Sequence, residues 1–265
     1  MKMSIQTGLA ALAVTFMAAE AAAVQGVITM PNGSKREGDI KWVVRDKAYS
    51  ITEKGRPIEM QLKPDEIADL QIPRPRELDA AIESIRQGSA AAAVPVLEKL
   101  AADYLMLQWD KPATRYLAEA HVQAGNADKA IAVCEKVIAA NPEAAYLGEM
   151  APAYWQALIK RDRLSKVEDL LSKAIKTGDR LASANALIAR GDLVQAAGDT
   201  AEIAKKALRD GYLRVITLYK SERAAQPEAL FKAAKCFEKL GQTQRADQLR
   251  TTLKGEFGSS EWAKK

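Results

Sequence analysis

Apolar and polar positions repeat with a helical period over most of the chain. The clearest example is the stretch 111–142, where Leu117 and His121 share one face of a predicted helix. Gly125 interrupts the pattern, and a second apolar face begins at Ala130. This stretch therefore predicts two short amphipathic helices joined by a tight turn.

The same helix–turn–helix pattern recurs along residues 76–265. Its turns fall at intervals of 37, 37, 36 and 43 residues, at Gly88, Gly125, Asp162, Gly198 and Gly241. A period of this length is typical of stacked helical repeats, in which each pair of helices buries its apolar face against its neighbours. The sequence thus predicts a mainly α protein with an α-solenoid of about five helix pairs.

The remaining pairs are predicted from the same signals. They span 76–104, 147–178, 184–220 and a last pair from Pro227 onwards. The second helix of the fourth pair is longer than the others, and Gly211 within it predicts a kink or a stagger. A stiff Pro-Arg-Pro joint at 73–75 precedes the first pair.

Residues 24–73 have a different pattern, with short alternating runs separated by turn-forming residues. The turn signals include Pro-Asn-Gly-Ser at 31–34 and Glu-Lys-Gly at 53–55. Four or five short strands with tight turns predict a small β-barrel-like module of the SH3 or Sm type. Its role is open between a binding module and a cap on the first repeat.

The first 23 residues are typical of a secretory signal peptide. Lys2 precedes an apolar run from 8 to 19, and three alanines at 21–23 provide small residues for cleavage before Val24. The apolar run is shorter than the roughly 20 residues that span a bilayer, so we expect no transmembrane span after signal removal. Retention of this segment as an amino-terminal anchor is the alternative to its cleavage. The pattern predicts an exported protein, with the bacterial periplasm as its destination.

Composition argues against several classes of function. The net charge is +5, and its 39 basic and 34 acidic residues are mixed along the chain, so we expect no nucleic-acid partner. Cys134 and Cys236 lack metal-ligand spacing and are predicted to be buried thiols. With His121 as the single histidine, and no nucleotide-binding or hydrolase motif, we expect no enzyme, cofactor or metal site.

The stretch 111–142 resembles a tetratricopeptide repeat (TPR), whose pattern extends over about 34 residues. The matching positions are the Leu-Gly pair, the turn glycine, the second-helix alanine and the closing proline, filled here by Leu117, Ala118, Gly125, Ala130 and Pro142. His121 and Cys134 depart from the pattern at its two aromatic positions. The second and last pairs match the family pattern best.

The resemblance implies that the first helix of each pair lines a concave face that binds peptides or helices. Counted in the family register, the partner-binding residues on that face are Arg115, Glu119, Gln123, Gln156, Lys160, Asp192, Gln195, Lys235 and Lys239. Their mixed polarity suits recognition of an extended chain through hydrogen bonds.

The favoured hypothesis is an exported, non-enzymatic adaptor that binds another protein of the cell envelope. The tail 255–263 resembles repeat ends in bacterial envelope proteins, which agrees with that location. A first alternative is a self-assembling structural envelope protein, with Phe257 and Trp262 as exposed contacts. A second is an accessory subunit of an envelope enzyme, or a glycan-binding protein that stacks sugars on Trp42 and Tyr49.

Overall fold

The computed structural model describes residues 22–56 and 58–265. Nearly all of the predicted signal peptide, 1–23, lies outside the described residues. The chain divides into two compact units, one ending at Leu70 and one spanning Gln71–Lys265. Each is described by itself below.

The first unit contains a five-stranded sheet in the order β4-β3-β2-β1-β5. The strands are β1 (Val24–Thr29), β2 (Lys35–Val43), β3 (Ala48–Glu53), β4 (Glu59–Leu62) and β5 (Asp69–Gln71). Strands β1 to β4 pair antiparallel with their sequence neighbours. In the described part of the unit, β4 and β5 are the two edges of this sheet and are not paired with each other. The predicted strands are therefore present, whereas closure into a barrel is not seen.

The sheet buries the apolar residues that alternate along its strands. Ile28, Ile40 and Ile51 have no exposed surface, since they point to the same face from three adjacent strands. Tyr49 is 7% exposed and meets the edge of Trp42 at 4.9 Å between ring centroids. These two aromatic rings pack against each other across β2 and β3.

The second unit is a series of helices that pair as the turn spacing predicts. They are α1 (Arg76–Arg86), α2 (Ala90–Asp103), α3 (Asp110–Gln123), α4 (Ala127–Ala140), α5 (Ala151–Lys160), α6 (Leu164–Lys176), α7 (Arg180–Gln195), α8 (Ala201–Ala207), α9 (Leu213–Leu218), α10 (Gln226–Lys239) and α11 (Thr243–Phe257). The prediction of five helix pairs is confirmed, with α8 and α9 together forming the second half of the fourth pair. None of the helices in the described residues combines the length and the apolar character that a membrane crossing requires.

Each pair shares its apolar core with its neighbours, as in a solenoid. One cluster joins Ala118 of α3 to Leu158 of α5, Leu171 of α6 and Ala186 of α7. Trp155 is fully buried in it, and its indole N–H donates to the Ala145 carbonyl oxygen at 2.8 Å. This hydrogen bond satisfies the polar atom of a large core side chain and fixes the start of the third pair.

The fourth pair is irregular where the sequence predicts it. A π-helical turn, Leu208–Tyr212, separates α8 from α9 and contains Gly211. Gly211 lies against the backbone of Gly191 in α7, so the two helices approach more closely than side chains would permit. The extra residue of the π turn rotates Tyr212 towards α7.

Candidate functional site

The first helices of the pairs line a groove of about 530 Å³ within the helical unit. Residues of α1, α3, α5, α7 and α10 contribute to its surface, together with the short 3₁₀ segment Glu261–Lys264 that follows α11. The second helices lie outside this lining. This arrangement follows from stacking antiparallel pairs, because each first helix then occupies the inner layer.

Helix α3 places three of the predicted partner-binding residues in the groove. Arg115, Glu119 and Gln123 are spaced four apart, so they project from one helix face. The Arg115 guanidinium contacts Glu149 at 3.2 Å and stacks over the Tyr116 ring at 4.6 Å from its centroid. The Gln123 amide donates to the Glu119 carboxylate at 3.3 Å.

A fourth predicted residue, Gln156 of α5, also lines the groove and is half-buried. Pro152 lies one helical turn before it on the same face. The structure therefore brings Arg115, Glu119, Gln123 and Gln156 together on one concave surface, although they come from two different pairs.

Asp192, in contrast, is engaged within the protein. Its carboxylate accepts a hydrogen bond from the Tyr212 hydroxyl at 2.8 Å and binds the Lys232 ammonium at 2.6 Å. The same ammonium binds Glu228 at 2.5 Å. Burial raises the pKa of Tyr212, and the adjacent Asp192 carboxylate acts in the same direction, so the hydroxyl stays protonated and donates. This network joins α7, the π turn and α10.

The other four predicted residues also lie away from the groove lining. The Gln195 amide contacts the Cys236 sulfur at 2.8 Å, and Lys160 is exposed at the end of α5. Lys235 lies 4.7 Å from the Phe231 ring centroid, and Lys239 pairs with Asp199. Their role in partner binding stays a prediction, as does that of Asp192.

The groove contains residues that the family register did not indicate. They come from the start of α7, from α10 and from the tail: Asp179, Leu181, Glu228, Glu261, Trp262 and Lys265. Asp179 carries a local signal, because it caps α7 by accepting from the Ala182 amide at 2.7 Å. The tail carries no such local signal, since its proximity to α3 depends on how the five pairs stack.

Glu119 stands out among the groove carboxylates. Burial raises the pKa of Glu119 above its ordinary value of 4.5. Arg115 and Lys265 oppose that shift in the pKa, whereas Glu261 and Glu228 reinforce it. No salt bridge to Glu119 occurs among the described residues. The groove thus holds a partly desolvated carboxylate whose close polar partner is one amide.

The thiols of the helical unit are buried, as predicted, and both are unbridged. Burial raises the pKa of Cys134 to about 12 and that of Cys236 to about 11, so both are protonated at neutral pH. Within the described ranges, no group of three or more histidine, cysteine, aspartate or glutamate side chains is arranged to hold a metal ion.

Three of the four aromatic residues named for the two alternative functions are less exposed than those functions require. Phe257 and Trp262 are half-buried rather than exposed, and both pack on the cluster of Leu230, Phe231 and Leu253. The ring centroids of Trp262 and Phe231 are 5.3 Å apart. In the sheet, Tyr49 is buried and has little surface on which a sugar can stack.

Comparison with known proteins identifies the repeats. The tetratricopeptide repeat family model matches residues 115–144 and 228–254, which lie in the second and last pairs. A crystal structure of nearly identical TPR-like repeats from a putative kinesin light chain of Podospora anserina is 20% identical in sequence, with a TM-score of 0.36. That similarity covers 69% of this chain and 95% of the other. None of the curated proteins matches this chain significantly in sequence. The family-model match thus assigns tetratricopeptide repeats to residues 115–144 and 228–254.

Proposed function

We propose that the chain is an exported adaptor of a bacterial cell envelope, and that it binds an extended segment of a partner protein in the concave groove. One observation carries this proposal: four residues selected from the repeat register, Arg115, Glu119, Gln123 and Gln156, line one groove of about 530 Å³. Tetratricopeptide repeats act in protein–protein interaction, and a groove along first helices suits an extended chain or a helix. The envelope location is supported by the signal-like pattern of 1–23.

The proposal is for a binding protein rather than an enzyme. The groove presents carboxylates, amides, two guanidinium groups and one ammonium group. Two contacts within it join Arg115 to Glu149 and Gln123 to Glu119. Such groups orient a bound chain without activating a nucleophile. The contents of the groove thus support the proposal of an adaptor.

Site-specific photo-crosslinking in living cells tests the groove directly. A photo-reactive amino acid replaces Gln123, which is exposed at the groove, and in a control protein it replaces Lys205, exposed on the second helix α8. We expect a partner adduct from position 123 and none from position 205. The double variant Arg115→Ala, Gln156→Ala should abolish the adduct from position 123.

Two outcomes would contradict the proposal. Partner adducts from position 205 but not from position 123 would place the interaction on the outer helices. Adducts that contain only this chain, at twice its mass, would favour self-assembly over an adaptor.

A further inference from the structure

The groove carries a charge opposite to that of the chain as a whole. Its lining includes five acidic residues, Glu119, Glu149, Asp179, Glu228 and Glu261. Three basic residues, Arg86, Arg115 and Lys265, accompany them, although the whole chain has a net charge of +5. Acidic groups are thus concentrated on the concave surface of a basic protein.

The basic side chains nearest the groove are already engaged. Arg115 is held by Glu149 at 3.2 Å, and Arg86 lies 3.8 Å from Glu83 of its own helix. The half-buried Lys232 divides its contacts between Glu228 and Asp192. The intramolecular cations therefore leave Glu119 without a salt bridge among the described residues.

The tail shows what chemistry the groove accepts. Lys265 lines the groove and places its ammonium 3.8 Å from the Trp262 ring centroid. Its charge also favours the ionised form of Glu119, though at a distance beyond a salt bridge. The protein thus already places one lysine against an aromatic ring at this surface.

Apolar surface accompanies these charges. Leu181 is 40% exposed at the groove, and Tyr116 and Trp262 are half-buried in its lining. A purely cationic ligand would leave these surfaces uncovered. The complementary ligand carries both lysine or arginine and apolar side chains.

We propose that the groove binds a basic segment of a partner protein, in which lysine or arginine alternates with apolar residues and a cationic side chain pairs with Glu119. This inference rests on the proposed adaptor function and adds the chemistry of the partner. Charge complementarity supports it, because a cation supplied by the partner restores the interaction that the desolvated carboxylate lacks. It also discriminates against acidic segments, which the excess of carboxylates repels.

The test measures binding of labelled peptides to the full chain by fluorescence anisotropy. The probe is a peptide of alternating lysine and leucine, about twelve residues long and so about 40 Å when extended. Matched peptides carry glutamate or serine in place of every lysine. We expect the lysine peptide to bind most tightly and the glutamate peptide to bind least.

Variants of single carboxylates locate the interaction. Glu119→Gln keeps the shape and removes the charge, and we expect it to weaken binding of the lysine peptide by about tenfold or more. Glu98→Gln makes the same change at an exposed position of the second helix α2 and should leave affinity unchanged. Glu119→Lys should reverse the preference towards the glutamate peptide. Circular dichroism and a thermal melt of each variant separate lost binding from lost folding.

The possible failures are distinguishable. The glutamate or serine peptide could instead bind more tightly than the lysine peptide, and Arg115→Ala could abolish that binding. This result would overturn the inference about charge, but the groove would remain the binding site. Equal binding of the lysine peptide to the wild type and Glu119→Gln would also overturn the inference. Failure of every peptide to bind, together with partner adducts that survive Arg115→Ala, Gln156→Ala, would overturn the adaptor groove as well.

Discussion

A Cβ atom on Gly211 would lie 2.7 Å from the Gly191 Cα, so α7 and the π turn of the fourth pair meet through backbone. The Tyr212 ring covers Gly191 at the same crossing, where a Cβ on Gly191 would lie 2.4 Å from its Cε1 atom. Tyr212, the next residue, therefore reaches Asp192 in α7 with its hydroxyl. The position of α10 depends in turn on this contact, because Lys232 binds the same carboxylate.

Gly211→Ala should destabilise the protein by about 1–3 kcal/mol, because the new methyl group meets backbone that has no rotamer to change. The control is Gly255→Ala in α11, where an added Cβ meets nothing within 4 Å. That substitution should stabilise the helix by about 0.5–1 kcal/mol. Urea unfolding measures both, and equal effects of the two substitutions would contradict the close crossing.

Asp192→Ala should reduce the free energy of unfolding by about 2 kcal/mol or more, since it leaves Lys232 and the Tyr212 hydroxyl without their shared acceptor. Tyr212→Phe removes one hydrogen bond and should cost about 1 kcal/mol. Asp247→Ala, on the exposed side of α11, is the matched control and should change stability little. If Asp192→Ala had the same free energy of unfolding as the wild type, the network would not hold the fourth and fifth pairs together.

His121 should make stability sensitive to mild acid. It is 2% exposed, its Nδ1 has no hydrogen-bond partner, and burial lowers its pKa below 6.5. Glu98 opposes that lowering of the pKa and Lys129 reinforces it. Because the unfolded chain then binds more protons, the free energy of unfolding should decrease as the pH falls below about 6.5, until folded His121 itself is protonated.

Unfolding curves of the wild type and His121→Phe between pH 7.5 and 5 check this expectation, as an aromatic residue is what the repeat pattern places there. The variant should lose the part of the pH dependence that His121 contributes, whatever its absolute stability. Parallel pH profiles for the two proteins would count against a buried neutral histidine.

Peptide binding should weaken in acid for a different reason. Burial raises the pKa of Glu119 above 4.5, helped by Glu261 and Glu228 and opposed by Arg115 and Lys265. The ionised form that pairs with a cation is therefore lost at a higher pH than that of an ordinary glutamate when the solution is acidified. Titration of lysine-peptide affinity in the wild type and Glu119→Gln should show this loss in the wild type alone.

Export should remove the first residues of the chain. The pattern of 1–23 predicts cleavage after Ala23, so the mature protein should begin at Val24. Intact-mass measurement and amino-terminal sequencing of protein from fractionated cells check both the cleavage and the compartment. Recovery of the uncleaved chain in the cytoplasm would contradict the proposed location.

Much of the helical unit could be predicted from the sequence, whereas only part of the groove could. The turn at Gly88 and the boundaries of α1 appear where the pattern places them, because glycine at positive φ and apolar spacing act within a few residues. Arg115, Glu119 and Gln123 follow from spacing on one helix. Asp192 and Gln195 have the same register, yet their side chains contact Lys232 and Cys236 inside the unit.

Local sequence patterns were sufficient to predict the five helix pairs, the irregular fourth pair and the strands of the sheet, since each depends on neighbours along the chain. The proximity of Lys265 and Glu261 to Glu119, and the contact of Asp192 with Lys232, depend on long-range packing. The physical reason is that each pair of a solenoid adds a small rotation, and side chains far apart in sequence meet only after several rotations accumulate. Local patterns determine these rotations only weakly, because they depend on how the helices of different pairs pack.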